Sequence, residues 1–179
     1  MGSDGMHHAD YTEFHGMARE EILETVLDSY NALAEGQDNW VCNLANASAL
    51  LWHAYRSLPL DINWAGFYVS KGSESSELIL GPFQGKVACQ LIKSGTGVCG
   101  TSFQSKKTQV VPDVNKFPGH IACDGETKSE IVVPIVDNTG RCLGVIDIDC
   151  LEYNGFGKAD QECLEKLASA IANTCAFNN

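Results

Sequence analysis

Near Pro59 the apolar periodicity of the chain changes from helical to alternating, and this change of period constrains the fold more than any other feature. From Arg19 to Gly36 the positions Ile22, Leu23, Val26, Leu27, Tyr30 and Leu33 fall at helical spacing, and Gly36 suits a helix C-terminus. Asp38 suits the N-cap of a second helix over 39–58, in which Trp40, Leu44, Leu51 and Tyr55 recur at helical intervals. Residues 61–70, 77–83 and 87–93 then read as strands, the first two joined by a polar turn. A Gly-rich stretch from Gly95 to Lys107 holds a short helix, 108–111 is a short strand ended by Pro112, and 113–129 is a long irregular segment. Segments of that length inside compact domains tend to be functional.

Residues 130–137 and 141–149 form a hairpin across Asn138-Thr139-Gly140. The last element, 158–176, is an amphipathic helix with Asp160 or Glu162 favouring its N-terminus. Two helices, about six short strands with an embedded helix, and a closing helix predict an α+β layout, an antiparallel sheet with helices packed on it. The expected organisation is one domain over 19–179, preceded by a flexible leader at 1–18.

The formal net charge of -11 argues against nucleic acid or an anionic membrane as the main partner, since either needs a basic footprint. No uncharged apolar run approaches the ~20 residues of a membrane span. The first 17 residues lack the apolar core of a secretion signal, so the expected compartment is the reducing cytoplasm, with the nucleus as an alternative.

Against that background eight cysteines are unusual. In a reducing compartment disulfides are usually catalytic or redox-sensing. No Cys-x-x-Cys occurs and His120-x-x-Cys123 is a lone pair, so no metal site is expected. Cys42, Cys163 and Cys175 fall on apolar helix faces and read as buried hydrophobes, while Cys142 and Cys150 flank the last strand as edge thiols. Cys89, Cys99 and Cys123 differ, because each lies close to glycine in a segment free to bring sulfurs together.

Two further groups carry chemistry. Period two places Asp147 and Asp149 on one face of a strand, with Glu130 opening its hairpin neighbour. Clustered like charges push at least one pKa upward, so one acid can stay neutral near pH 7 and donate a proton. Trp64 and Tyr68, four apart on one strand face, suit either core or the wall of a pocket for a small apolar or sulfur-bearing group.

The motifs Trp64-Ala-Gly-Phe-Tyr68, Gly81-Pro-Phe-Gln-Gly-Lys-Val-Ala-Cys89, Gly97-Val-Cys-Gly100, Pro118-Gly-His-Ile-Ala-Cys123, Ser129-Glu-Ile-Val-Val-Pro134 and Gly144-Val-Ile-Asp-Ile-Asp149 together resemble the free methionine-(R)-sulfoxide reductases, which are stand-alone GAF domains. The resemblance runs from Glu20 to the closing helix. It implies a six-stranded antiparallel sheet flanked by helices, often as a homodimer, with no cofactor. It also implies reduction of free L-methionine (R)-S-oxide and recycling by thioredoxin. Cys89, Cys99 and Cys123 match the redox cysteines of the family, and Trp64, Tyr68, Glu130, Asp147 and Asp149 match its substrate pocket. Cys123 is the expected nucleophile, resolved by Cys89 and Cys99, and the reverse assignment, Cys99 attacking and Cys123 resolving, is the alternative. Asp124 and Glu126 beside Cys123 oppose thiolate formation unless Lys86 or His120 compensates. From another class, a GAF-type sensor of a small ligand or of redox state would use the same pocket or thiols without turnover.

Overall fold

The computed structural model describes residues 7–72, 75–120 and 124–177, which leaves Cys123 outside the described residues. Six strands form one sheet: β1 (Ile62–Ser70), β2 (Glu77–Gly85), β3 (Leu91–Lys93), β4 (Gln109–Val111), β5 (Ser129–Val136) and β6 (Cys142–Cys150). Their spatial order is β3-β2-β1-β6-β5-β4. Every paired neighbour is antiparallel. The α+β sheet and its strand count match the expectation.

The helices α1 (Arg19–Ala34), α2 (Trp40–Arg56) and α4 (Lys158–Thr174) share one sheet face. There Ala65, Phe67 and Val69 of β1 meet Ile146 and Ile148 of β6 and the apolar helix stripes in the larger core. The short helix α3 (Gly97–Ser105) packs on the opposite face with Trp64, Tyr68, Val132 and Val145, in a second, smaller core. Alternation along each strand thus feeds two cores, one per face.

Several local expectations need correction. The N-cap of α2 is Asn39, whose side chain accepts from the Cys42 N–H at 3.0 Å, and not Asp38. Cys42 is exposed because it lies half a turn away from the buried Leu51 face. Cys163 and Cys175 are only partly buried. Cys142 and Cys150 are buried rather than edge thiols, since β6 sits between β1 and β5 at the centre of the sheet. The strand expected over 87–93 shortens to 91–93, leaving 86–90 irregular. The stretch before α1 contributes to packing: His8–Thr12 form a 3-10 turn and Phe14 inserts into the larger core. Among the described residues no helix is long and apolar enough to cross a membrane.

Candidate active site

On the α3 side of the sheet lies a cavity of about 270 Å³. That is at the small end for ligand sites, the size of an amino acid rather than a nucleotide. Cys89, Cys99, Trp64, Tyr68, Glu130, Asp147 and Asp149 all line it. The described residues therefore bring together every site residue expected from sequence except Cys123, which falls outside them.

Strand register explains the convergence. Across β1 and β6, Trp64 pairs with Asp149 and Gly66 with Asp147. Across β5 and β6, Glu130 pairs with Asp149 and Val132 with Asp147. One face of three adjacent strands thus carries an aromatic row beside an acidic one. Trp64 stacks on Tyr68 with centroids 5.7 Å apart and on Phe83 of β2 at 5.2 Å. Gly66 makes this possible, because a Cβ there would come within 2.3 Å of the Phe83 Cβ.

Glu130 and Asp147 are both only 6% exposed. Burial pushes the carboxyls of Glu130, Asp147 and Asp149 well above the usual carboxylate range, and their mutual repulsion adds to it. Asp147 and Glu130 also interact with each other directly. The Cys99 thiol, 5% exposed, lies beside Asp147; burial first, and then the charge of Asp147, push its pKa well up. The nearest ligand atoms of Cys99, Glu130 and Asp147 lie within 4.8 Å of one another. This is a buried acid pair backed by a protonated thiol.

Around the mouth, Lys86 reaches Asp124 at 3.2 Å and Glu126 at 2.9 Å, so it pairs with both carboxylates that follow Cys123 in sequence. His120 faces Glu130 instead, Nε2 to Oε2 3.6 Å, and burial lowers its pKa. Cys89 is disulfide-bonded on the irregular 86–90 segment, whereas Cys42, Cys99, Cys142, Cys150, Cys163 and Cys175 are free thiols. The first turn of α3, Thr96–Cys99, also lines the cavity. First-turn N–H groups have no intrahelical partner, so this end of the cavity favours a carboxylate. The two ends suit a zwitterion, anion toward α3 and cation toward the acids.

Asn63, His120, Asp124 and Thr127 also line the cavity and were not expected as site residues. His120, Asp124 and Lys86 drew attention only as neighbours of Cys123. Asn63 was hidden by a bulge between Ile62 and Trp64, where the β1–β6 register shifts. Strict alternation would send Asn63 to the helix-covered face. A bulge re-aims a side chain, and none is legible in Ile62-Asn63-Trp64.

Comparison with known proteins gives a consistent result. Residues 19–175 match the GAF domain family. The free methionine-R-sulfoxide reductase of Saccharomyces cerevisiae is 65% identical over 179 residues, 99% of each chain. The protein of the same name from Escherichia coli is 41% identical over 160 residues, covering 89% of this chain and 92% of that one. The X-ray structure of free methionine-R-sulfoxide reductase from Neisseria meningitidis, in complex with its substrate, superimposes with a TM-score of 0.83 at 37% identity, covering 90% of this chain and 93% of the other.

Proposed function

Since the chain belongs to the GAF domain family and, within it, to the free methionine-R-sulfoxide reductases, we propose that it reduces free L-methionine (R)-S-oxide to L-methionine through a cysteine sulfenic acid. The observation that carries this reading is the buried Glu130–Asp147 pair, whose pKa values burial raises, beside the Trp64–Tyr68 wall of an amino-acid-sized cavity. A sulfoxide sulfur becomes a good electrophile only once its oxygen is protonated, and an acid kept neutral near pH 7 can supply that proton.

The steps balance as follows. A thiolate attacks the sulfoxide sulfur while a carboxyl protonates the oxygen. The S–O bond to substrate breaks, methionine leaves reduced by two electrons, and the attacking cysteine becomes a sulfenic acid. A second thiol attacks that sulfur, water leaves, and a disulfide forms. An external dithiol then reduces the disulfide by exchange; thioredoxin is the reductant this reading assigns.

Cys123 is the nucleophile and Cys89 its resolving partner. Two facts support this order. Cys99 is buried against acids that hold it as a thiol, which disfavours attack. Lys86 balances both carboxylates flanking Cys123, and Cys89 already stands in a disulfide at the cavity wall. Cys99 then serves as a buried, protonated thiol beside Asp147. The aromatic wall receives the methyl sulfide end of the substrate, and Asp149 with its neighbours receives the ammonium.

Turnover is tested by NADPH oxidation through thioredoxin reductase and thioredoxin, with the S-epimer as control; no R-specific rate above background would overturn the reading. Trapping the sulfenic acid with a dimedone-type probe tests the cysteine order, and adducts confined to Cys99 would reverse it. Action in the cytoplasm and assembly as a homodimer belong to the same reading, tested by cell fractionation and by light scattering on a sizing column.

A further inference from the structure

Three residues that line the cavity each carry a buried polar atom with no hydrogen-bond partner among the described residues: Asn63 Oδ1, Trp64 Nε1 and Asp147 Oδ1. Such atoms are costly, and at a binding site they mark what the ligand must supply. The Asn63 amide is oriented by its surroundings. Its nitrogen lies 3.2 Å from Asp124 Oδ2 and 2.9 Å from Thr127 Oγ1. The pKa of Asp124 is lowered, first by the Glu126 N–H, so it is an ionised acceptor. Only the N–H₂ side of the amide can face it, which leaves the carbonyl oxygen as the unpaired group.

An unpaired acceptor needs a donor. Methionine sulfoxide, the substrate under the reading above on which this step rests, offers its carboxylate and sulfoxide oxygens only as acceptors. Its ammonium is its sole donor. We infer that Asn63 is a specificity-determining residue that accepts a hydrogen bond from the α-ammonium of the substrate. An N-acylated or peptide-bound methionine keeps at most one N–H and no charge, so Asn63 selects for the free amino acid. A neutral acceptor adds something the carboxylates do not: it keeps its preference for a donor when the acid pair is protonated. The same amide ties the recognition oxygen to Asp124 and Thr127, and so to the segment that follows Cys123.

The test compares free methionine (R)-sulfoxide with its N-acetyl derivative in the wild-type, Asn63→Ala, Asn63→Asp and Thr127→Val proteins. Asn63→Ala is expected to lower kcat/KM for the free substrate by about ten- to a hundred-fold, the range for a hydrogen bond to a charged group, with little change for the acetylated one. The free-over-acetylated ratio should therefore collapse. Asn63→Asp retains an acceptor and loses the donor to Asp124, so it should lower kcat while preserving the ratio; Thr127→Val should also preserve it. An unchanged ratio in Asn63→Ala, or an equal collapse in Asn63→Asp, overturns the inference. Calorimetric binding of methionine and N-acetylmethionine gives a readout independent of turnover. A wild-type protein that discriminates between these two in binding but reduces neither sulfoxide would overturn the activity and leave the role of Asn63 standing.

Discussion

Glu130 and Asp149 face each other across the β5–β6 ladder, two carboxyls at one register position, with Asp147 two residues along the same strand face. Like charges directly opposite in a sheet are destabilising. Glu130 is buried and Asp149 half-buried, which limits relief by water, and burial first and mutual repulsion second raise the pKa values of all three acids. Under the proposed reaction, the protons that make the arrangement tolerable are those the reduction needs.

This coupling fixes the sign of a pH effect. In the unfolded chain these acids ionise near pH 4, while in the fold they keep their protons to higher pH. The native state then binds more protons, so stability falls as pH rises above about 4 and on through the raised values. Asp113, Asp124 and Asp137, whose pKa values are lowered, act oppositely only below their unfolded values, and His120, also lowered, acts oppositely up to its unfolded value of about 6.5. Thermal melts of the ligand-free protein between about pH 5 and pH 8 should therefore show a downward contribution that Glu130→Gln flattens. The same variant should lose most of its turnover, and the wild-type rate should decline on the alkaline side as the acid ionises.

Gly66→Ala should damage both fold and site. The added Cβ would stand 2.3 Å from Phe83 Cβ and 2.7 Å from its Cα, so β2 must move rather than a flexible side-chain end. A cost of about 1–3 kcal/mol is expected from overpacking. The Trp64–Phe83 stack should open with it, read as a shift in tryptophan emission and a raised KM.

Much of this was legible in the sequence for a physical reason. Period two in Gly144-Val-Ile-Asp-Ile-Asp149 can place Asp147 and Asp149 only on one face, and Ile146 and Ile148 on the other, which is what β6 shows. The four-residue step from Trp64 to Tyr68 works the same way. What stayed hidden depends on departures from periodicity. The bulge at Asn63 and the irregular 86–90 segment carrying Cys89 leave no local signature. Cys42 misled because a cysteine among apolar residues reads as core until the helix face is known. Ion pairs between distant segments, such as Lys86 with Asp124, require the fold before they exist.

Cys123, Cys89 and Cys99 should separate cleanly by substitution. Cys123→Ser is expected to remove turnover by about 10³-fold or more, as for loss of a nucleophile. Cys89→Ser should still consume one equivalent of sulfoxide in a single turnover and then accumulate the sulfenic acid. Cys99→Ser should retain turnover at a reduced rate, since Cys99 supplies neither the attacking nor the resolving sulfur in the proposed reaction. Alkylation of reduced protein near pH 7, followed by mass spectrometry, should label exposed Cys42 well before Cys99, whose thiol is buried and held protonated.

Asp160 offers a test confined to the opposite face of the sheet. It is 1% exposed and accepts from Arg19 Nε at 3.1 Å, Tyr55 Oη at 2.9 Å and the Gly157 N–H at 2.8 Å. One carboxylate thereby caps α4 and ties it to α1 and α2. Asp160→Ala would strand the Tyr55 hydroxyl in the core and leave the Arg19 guanidinium without its carboxylate, holding only the Gly155 carbonyl. Breaking a buried pair costs about 3–5 kcal/mol, and the lower end applies here because Arg19 keeps a third of its side chain in water. Asp160→Asn should cost less, since an amide oxygen still accepts from either Arg19 or Tyr55. Urea melts should rank the three proteins in that order. Turnover per folded molecule should be unchanged, because none of these groups lines the cavity.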